Sequence, residues 1–288
     1  MAEITVLRVV DEGATAAKTI KLNPCWDVEK EFKRAKWFHY STKTVEGIKQ
    51  LSAFLTQAAS DKHSLLIRGV LALHKDPHQP VRRLGVKGHG ENGFFLSHPQ
   101  GQPWLLLDFD GIPCPNSIDF LKHPKLGIEY LVSLLPSYFH GVSYHYHLSS
   151  GAGLDGGKTI RAHILYWLDK PVHDDVLRAW AKGINCHGPL IDTQLFGAVQ
   201  PHYTADPIFD GVPDPFFEKR SGFVKAKSDT VTLPKLVPPG YASVGIASGL
   251  NPSEAFSTYL NAVGGQCNFF SVKIFRRVHW GGGLSLSG

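Results

Sequence analysis

Pro103-Trp-Leu-Leu-Leu-Asp108-Phe-Asp110-Gly111 is the stretch on which the fold and the chemistry of this chain turn. Apolar residues run straight into two aspartates separated by one position. Side chains on a strand repeat every two residues, so a strand ending in Asp-x-Asp sends both carboxylates to one side. Two like charges held that close are costly unless a cation neutralises them, which points to a hard divalent ion, Mg²⁺ or Mn²⁺. The competing reading is an Asp-rich turn that ends a strand, because Asp favours turns.

Outward from this stretch the chain alternates short strand and helix patterns. Gly93–Ser97 and Trp104–Asp108 read as a strand pair joined by the turn at 98–102. Upstream, apolar alternation marks strands near Ile4–Val10 and Thr19–Leu22, and His63–Leu73 reads as another. Val45, Ile48, Leu51, Phe54 and Leu55 recur at helical spacing over Thr44–Ala59, with Thr42 and Thr44 as N-cap choices. Arg82–Asn92 is Gly-rich and basic and reads as a loop. Downstream, a helix is expected at Ile128–Leu135, strands at Gly141–Ser149 and Thr159–Leu168, and a helix at Val172–Ile184. Asp174 and Asp175 fall in that helix's first turn, where negative charge suits the dipole. A short strand follows at Ala198–Tyr203, and Thr204–Pro239 is largely loop. A helix is expected over Asn251–Val263, then a flexible or truncated Gly-rich tail. Strands and helices are interspersed without strict βαβ regularity, so the class is α+β, with residues 1–245 as the main domain and 246–288 as a C-terminal helical segment.

With 288 residues, 43% of them hydrophobic and 19% charged, the chain can bury a full core and disorder throughout is excluded. A formal charge of +5 alongside 15 histidines is compatible with a polyanionic partner without demanding one. Cys25, Cys114, Cys186 and Cys267 form no Cys-x-x-Cys pair, which argues against a zinc ribbon or disulfide framework and suits a reducing cytoplasm. No basic-then-apolar leader pattern and no membrane-length apolar run occur in the sequence, so a soluble, cytoplasmic protein without a membrane partner is expected.

The chemistry-bearing residues follow in order. Ser149-Ser150-Gly-Ala-Gly153 follows a strand, and Lys158-Thr-Ile-Arg161-Ala-His163 comes next. Arg161 and His163 share one strand face, and with Lys158 they could cradle phosphate oxygens; otherwise they are solvent-facing residues on a half-buried strand. Asp192 ends the apolar segment Pro189-Leu-Ile and would complete a three-carboxylate metal site if that segment lies beside the first strand. Tyr144-His145-Tyr-His147 could chelate metal by spacing, yet has no third ligand nearby, so cleft lining or packing is preferred.

The ordered set Asp108-Phe-Asp110, Arg161-Ala-His163 and Ile191-Asp192 resembles the three motifs of archaeo-eukaryotic-type primases and primase-polymerases, most nearly the RepB-like primase domains of plasmids, phages and mobile elements. Leu66-Ile-Arg68-Gly69, Leu148–Gly153, Val199–Pro207, Asp214-Pro215 and Arg220 share that texture. The family's second motif is usually Ser-x-His, and here Arg161 holds the first position. Either Arg161 substitutes as a triphosphate contact, or the serine's role falls to Ser149 or Ser150.

The resemblance implies an RRM-like catalytic sheet with a smaller αβ subdomain. It implies two Mg²⁺ or Mn²⁺ ions on Asp108, Asp110 and Asp192, and a triphosphate contacted by His163 and Arg161, with Lys158 and Arg220 as further contacts. Single-stranded DNA template and nucleoside triphosphates are the implied partners, and a helicase would act in trans or from a region missing here. Arg82-Arg83 and Lys225/Lys227 are choices for template phosphates, with solvated surface charge as the alternative. Two rivals stand beside this reading. Asp108-Phe-Asp110-Gly111 also fits the first motif of a haloacid-dehalogenase-like phosphohydrolase. A replication-initiation module that binds DNA without catalysis would have no reason to hold three acids near a polyanion.

Overall fold

The computed structural model of the protein describes residues 1–22, 28–217 and 219–234. Strands come first: β1 (Ala2–Val9), β2 (Thr19–Leu22), β3 (Val28–Glu31) and β4 (Trp37–Val45), followed by helix α1 (Ile48–Ala58). Short elements follow: β5 (Ser64–Ile67), β6 (Val70–Leu71), β7 (Val81–Arg82), α2 (Val86–His89) and β8 (Phe95–Leu96). The long central pieces are β9 (Gln102–Pro113), α3 (Pro124–Ser133), β10 (Tyr144–Leu148), β11 (Thr159–Val172) and α4 (Asp174–Ile184). β12 (His202–Tyr203), β13 (Ile208–Asp210) and β14 (Ser221–Val224) complete the series. The class is α+β, as the interspersed patterns predict. Segment 246–288, with its expected helix, lies outside the described residues.

Two larger sheets face each other. One has the order β12-β5-β1-β4-β7, the other β14-β10-β11-β9, and every pairing in both is antiparallel. β9 reads as a continuous apolar run because both its faces are covered. Leu105, Leu107 and Phe109 pack with Ile164, Tyr166 and the helices α3 and α4, through Ile128, Leu131, Leu177 and Trp180. Trp104 and Leu106 turn the other way and meet Leu165 and Trp167 with Ile4, Val45, Leu66 and the buried face of α1, Ile48, Leu51 and Leu55. Each such side chain removed from water contributes roughly 1.5–3 kcal/mol, so this middle layer fixes the direction of β9.

A third small sheet, β13-β2-β3, joins distant parts of the chain by the parallel pairing of Ile208–Asp210 with Thr19–Lys21. Between the two large sheets lies a buried ion pair: Arg68 Nε donates to Asp174 Oδ1 at 2.8 Å, and Arg68 also reaches the carbonyl of Trp104. Asp174, expected as a helix-start charge and found in the first turn of α4, thus also anchors that helix to the first sheet.

Three expectations are corrected. Thr42 and Thr44 do not cap α1; they lie in β4, and the helix starts at Ile48 with Gly47 as its N-cap and no side-chain cap. Gly93–Ser97 does not pair with Trp104–Asp108: β8 pairs with β6, while β9 takes β11 as its neighbour. The turn between them exists (Gly101 N–H donates to the His98 carbonyl, 2.9 Å), but it joins two sheets. Arg82–Asn92, expected as a loop, holds the one-turn helix α2 and a further helical turn at Gly90–Asn92, whereas 204–239, expected as largely loop, is so over its described residues apart from the short edge strands β13 and β14.

Candidate active site

Asp108 and Asp110 continue the face of β9 that begins with Trp104 and Leu106. Arg161 and His163 continue the matching face of β11 beyond Leu165 and Trp167. The register sets His163 opposite Asp108 and Arg161 opposite Asp110. Where the apolar half of this face ends, the polar half opens into a cleft of about 300 Å³ lined by all four residues and by Asp192, Ser149 and Ser150.

Asp192 arrives by a backbone route. β9 is an edge strand, so its outer carbonyls lack a ladder partner. The N–H of Asp192 donates to the carbonyl of Asp108 at 3.1 Å. The preceding turn is folded by Asn185, whose Oδ1 accepts from the N–H groups of Leu190 (3.0 Å) and Ile191 (3.1 Å) and whose Nδ2 donates to the Ile191 carbonyl (2.7 Å). Asp192 Oδ1 itself accepts from Gln194 N–H at 2.8 Å and caps the turn Thr193–Phe196.

Electrostatics at the site are unbalanced. Burial, reinforced by the charges of Asp110 and Asp192, pushes the Asp108 carboxyl up to about 7. Burial and the neighbouring His147 and Lys18 push His163 down to about 3. His163 Nε2 stands 3.4 Å from Asp108 Oδ1, so at neutral pH a neutral imidazole faces a carboxyl that is only partly ionised. Asp110, more exposed, is ion-paired with Arg161. Among the described residues no three His, Cys, Asp or Glu side chains converge closely enough to hold a metal as they stand. The donor set nevertheless fits a hard divalent cation: acidic oxygens whose mutual repulsion a cation would relieve, with Asp110 free to turn from Arg161.

Comparison with known proteins adds one relation. The chain is 28% identical over 203 residues to a putative replication origin binding protein of Escherichia phage T5. The match covers 66% of this chain and 20% of the relative, so the chain spans only a fraction of that protein's length. No protein-family model matches.

Two expected contacts are not brought to the cleft. Lys158 is exposed at the foot of β11 and does not line it. Arg220 is buried: its guanidinium grips both oxygens of Asp214 (2.9 and 2.8 Å) and the carbonyl of Ser149 (2.9 Å), between the rings of Phe209 and Phe216. It holds the Ser149–Ser150 loop from behind. Lys225, a choice for template phosphate, is ion-paired with Asp229.

Other cleft residues went unread in the sequence. Lys18 and Lys30 come from beside and within the small third sheet, and Lys30 Nζ lies against Gly151, 2.6 Å from where a Cβ would stand. Burial and the charges of Lys18 and Arg161 lower the Lys30 ammonium's pKa. His147, expected as lining or packing, lines the cleft and donates from Nε2 to Asp206 Oδ1 at 2.8 Å. No local motif signals Lys18 or Lys30; only the pairing of β2 with β3 and β13 brings them in. Among the described residues no helix is long and apolar enough to cross a membrane.

Proposed function

We propose that this chain is a template-dependent nucleotidyltransferase of the primase type, making primers on single-stranded DNA in the replication of a phage, plasmid or other mobile element. The observation that carries the reading is one cleft holding Asp108 and Asp110 on β9, Arg161 and His163 opposite them on β11, and Asp192 hydrogen-bonded to the backbone of Asp108. Acids on one side and cations on the other suit a substrate that brings phosphates together with divalent ions.

In this reading Asp108, Asp110 and Asp192 hold Mg²⁺ or Mn²⁺. When bound, such ions neutralise phosphate charge and lower the pKa of an attacking hydroxyl. Arg161 turns from Asp110 to offer its fork to phosphate oxygens, and Lys18 and Lys30 add point charges from the facing sheet. His163, half-buried and neutral, orients through its ring nitrogens without adding a competing charge. Ser149 and Ser150, fixed from behind by Arg220, present hydroxyls to the same phosphates. The RRM-like label rests on the run β9-α3-β10-β11-α4 alone: β12 and β13 precede β14 in the chain, β9 is an edge strand, and β9 and β11 run antiparallel to each other.

The phage T5 relative's name supports a replication role and contact with DNA. It equally favours a second reading, a replication-initiation module that binds DNA without catalysis. The phosphohydrolase reading draws no such support: the strand carrying Asp108 and Asp110 is an antiparallel edge strand, not part of a parallel sheet with a ligand crevice at its strand ends.

The deciding assay is incorporation of labelled nucleotides on single-stranded DNA, with and without a primer, in Mg²⁺ or Mn²⁺. Wild type should give metal-dependent polymer, and Asp108→Asn with Asp110→Asn should reduce it by at least about 100-fold. DNA binding with no incorporation under any condition would favour the non-catalytic module. Product that survives the double substitution would remove the cleft from the mechanism.

A further inference from the structure

The run Lys30-Glu-Phe32-Lys-Arg34-Ala-Lys36-Trp37 carries Lys30, Lys33, Arg34 and Lys36 against the single acid Glu31, and Glu31 is already paired with Lys21 at 2.7 Å. It starts in the cleft and leaves it. Lys30 lines the cleft wall. Two residues on, the Phe32 ring meets Tyr203, itself a cleft residue, edge to face with centroids 5.3 Å apart. Arg34 is exposed, and its charge acts on both Tyr203 and the half-buried Arg83. At the far end Trp37 keeps 42% of its surface in solvent, with the Arg82 guanidinium over its ring at 5.7 Å. Asp11 fixes this platform by accepting from the backbone N–H groups of Lys36 (2.6 Å) and Trp37 (2.8 Å).

A large aromatic left in water beside cations, joined by further aromatics and cations to an acid-bearing cleft, has no role in the core. Alternating rings and positive charges match the alternating bases and phosphates of a single strand, because every base offers a π-face and every linkage a charge. We infer that this strip, Phe32, Arg34, Trp37 and Arg82, is the path along which single-stranded DNA runs from the cleft, with a base stacked on Trp37. The inference rests on the cleft reading for what happens at its inner end, but the binding it claims does not require catalysis.

The test is fluorescence anisotropy of a labelled oligothymidylate with the full chain over a salt series, alongside the incorporation assay. Trp37→Ala should weaken binding about tenfold and Trp37→Phe should restore most of it. Arg34→Gln with Arg82→Gln should flatten the slope of log K against log salt by about 1.4, since each phosphate contact on a single strand contributes about 0.7. A duplex of the same sequence should bind with no dependence on Trp37. Unchanged affinity in Trp37→Ala, with unchanged salt slope in the arginine pair, would overturn the strip; both arginines and the tryptophan are at the surface, and circular dichroism checks that the variants fold. If wild type incorporates nucleotide while these variants bind normally, the strip falls and the cleft reading stands. If nothing is incorporated but the losses appear, the strip stands and the cleft reading falls.

Discussion

Arg220 has both oxygens of Asp214 and the carbonyl of Ser149 as hydrogen-bond partners, one for each of its three guanidinium nitrogens. Its position in the sequence matches a phosphate contact, but its burial matches a strut. Those two roles predict different failures. Removing the guanidinium leaves Asp214 with only the Phe216 N–H and the Ser149 carbonyl with only the Ala152 N–H, and takes the counter-charge from a partly buried carboxylate, a loss of about 3 kcal/mol. Arg220→Ala should therefore lower the urea midpoint substantially, and Arg220→Lys should recover little, because an ammonium cannot bridge three acceptors in a plane. Stability kept intact with only the apparent nucleotide KM raised would restore a direct contact. Asp108, Asp110, Arg161 and His163 were legible because alternation on two strands is local and needs only the period of two. Asp192 was legible as a residue but not as a neighbour, since its place depends on one hydrogen bond to an edge carbonyl 84 positions earlier.

Among elements, β9 decided the most and misled the most. Its apolar run was readable as a strand, but its partner was not: the turn at 98–102 has hairpin chemistry and still sends β9 to β11. Tertiary layering explains this. A hairpin with the two-residue strand β8 would leave Trp104–Leu107 uncovered, whereas β11 and the helices bury both faces. Gly101 is where the turn meets the end of β11: φ is +75°, and a Cβ there would stand 2.2 Å from the carbonyl carbon of Val172. Both the left-handed backbone and the contact forbid a side chain, and the obstacle is backbone that cannot swing away. Gly101→Ala should cost about 2 kcal/mol or more and lower Tm by roughly 4–8 °C, given about 2–4 °C per kcal/mol at this size. Gly90, also at positive φ (+53°) but with open space around it, should tolerate alanine with a smaller loss from φ alone, and equal losses at the two sites would refute the close-approach argument.

On the scale of the whole molecule, the uncharged histidines in and beneath the cleft, half-buried His163 with buried His145 and His202, set how stability responds to pH. Burial pushes His145 and His163 down to about 3, and His202 well below its ordinary value. His145 is hydrogen-bonded through Nδ1 to Ser52 Oγ at 2.9 Å, while both ring nitrogens of His202 are buried without a hydrogen-bond partner, edge-on to Trp104. Each folded-state pKa lies below the unfolded value of 6.5, so above pH 6.5 the stabilising preference for the neutral ring is fully present. It is lost as pH falls, because only the unfolded chain takes up those protons. Asp108 works in the opposite sense. Its folded pKa, about 7, lies above the unfolded 3.8, so its contribution is present at low pH and is lost as pH rises toward 7 and beyond. Between pH 6 and 5 three imidazoles outweigh one carboxyl, a net of about two protons, and unfolding free energy should fall by about 2–3 kcal/mol per pH unit. Urea midpoints should thus peak near neutrality and drop steeply below pH 6. His202→Phe keeps the ring packed on Trp104 and removes one titrating group. It should reduce the acid slope by about 1.4 kcal/mol per pH unit and stabilise the protein more at pH 5 than at pH 7. An acid slope the same in wild type and His202→Phe would show that His202 is hydrated or protonated in the folded state.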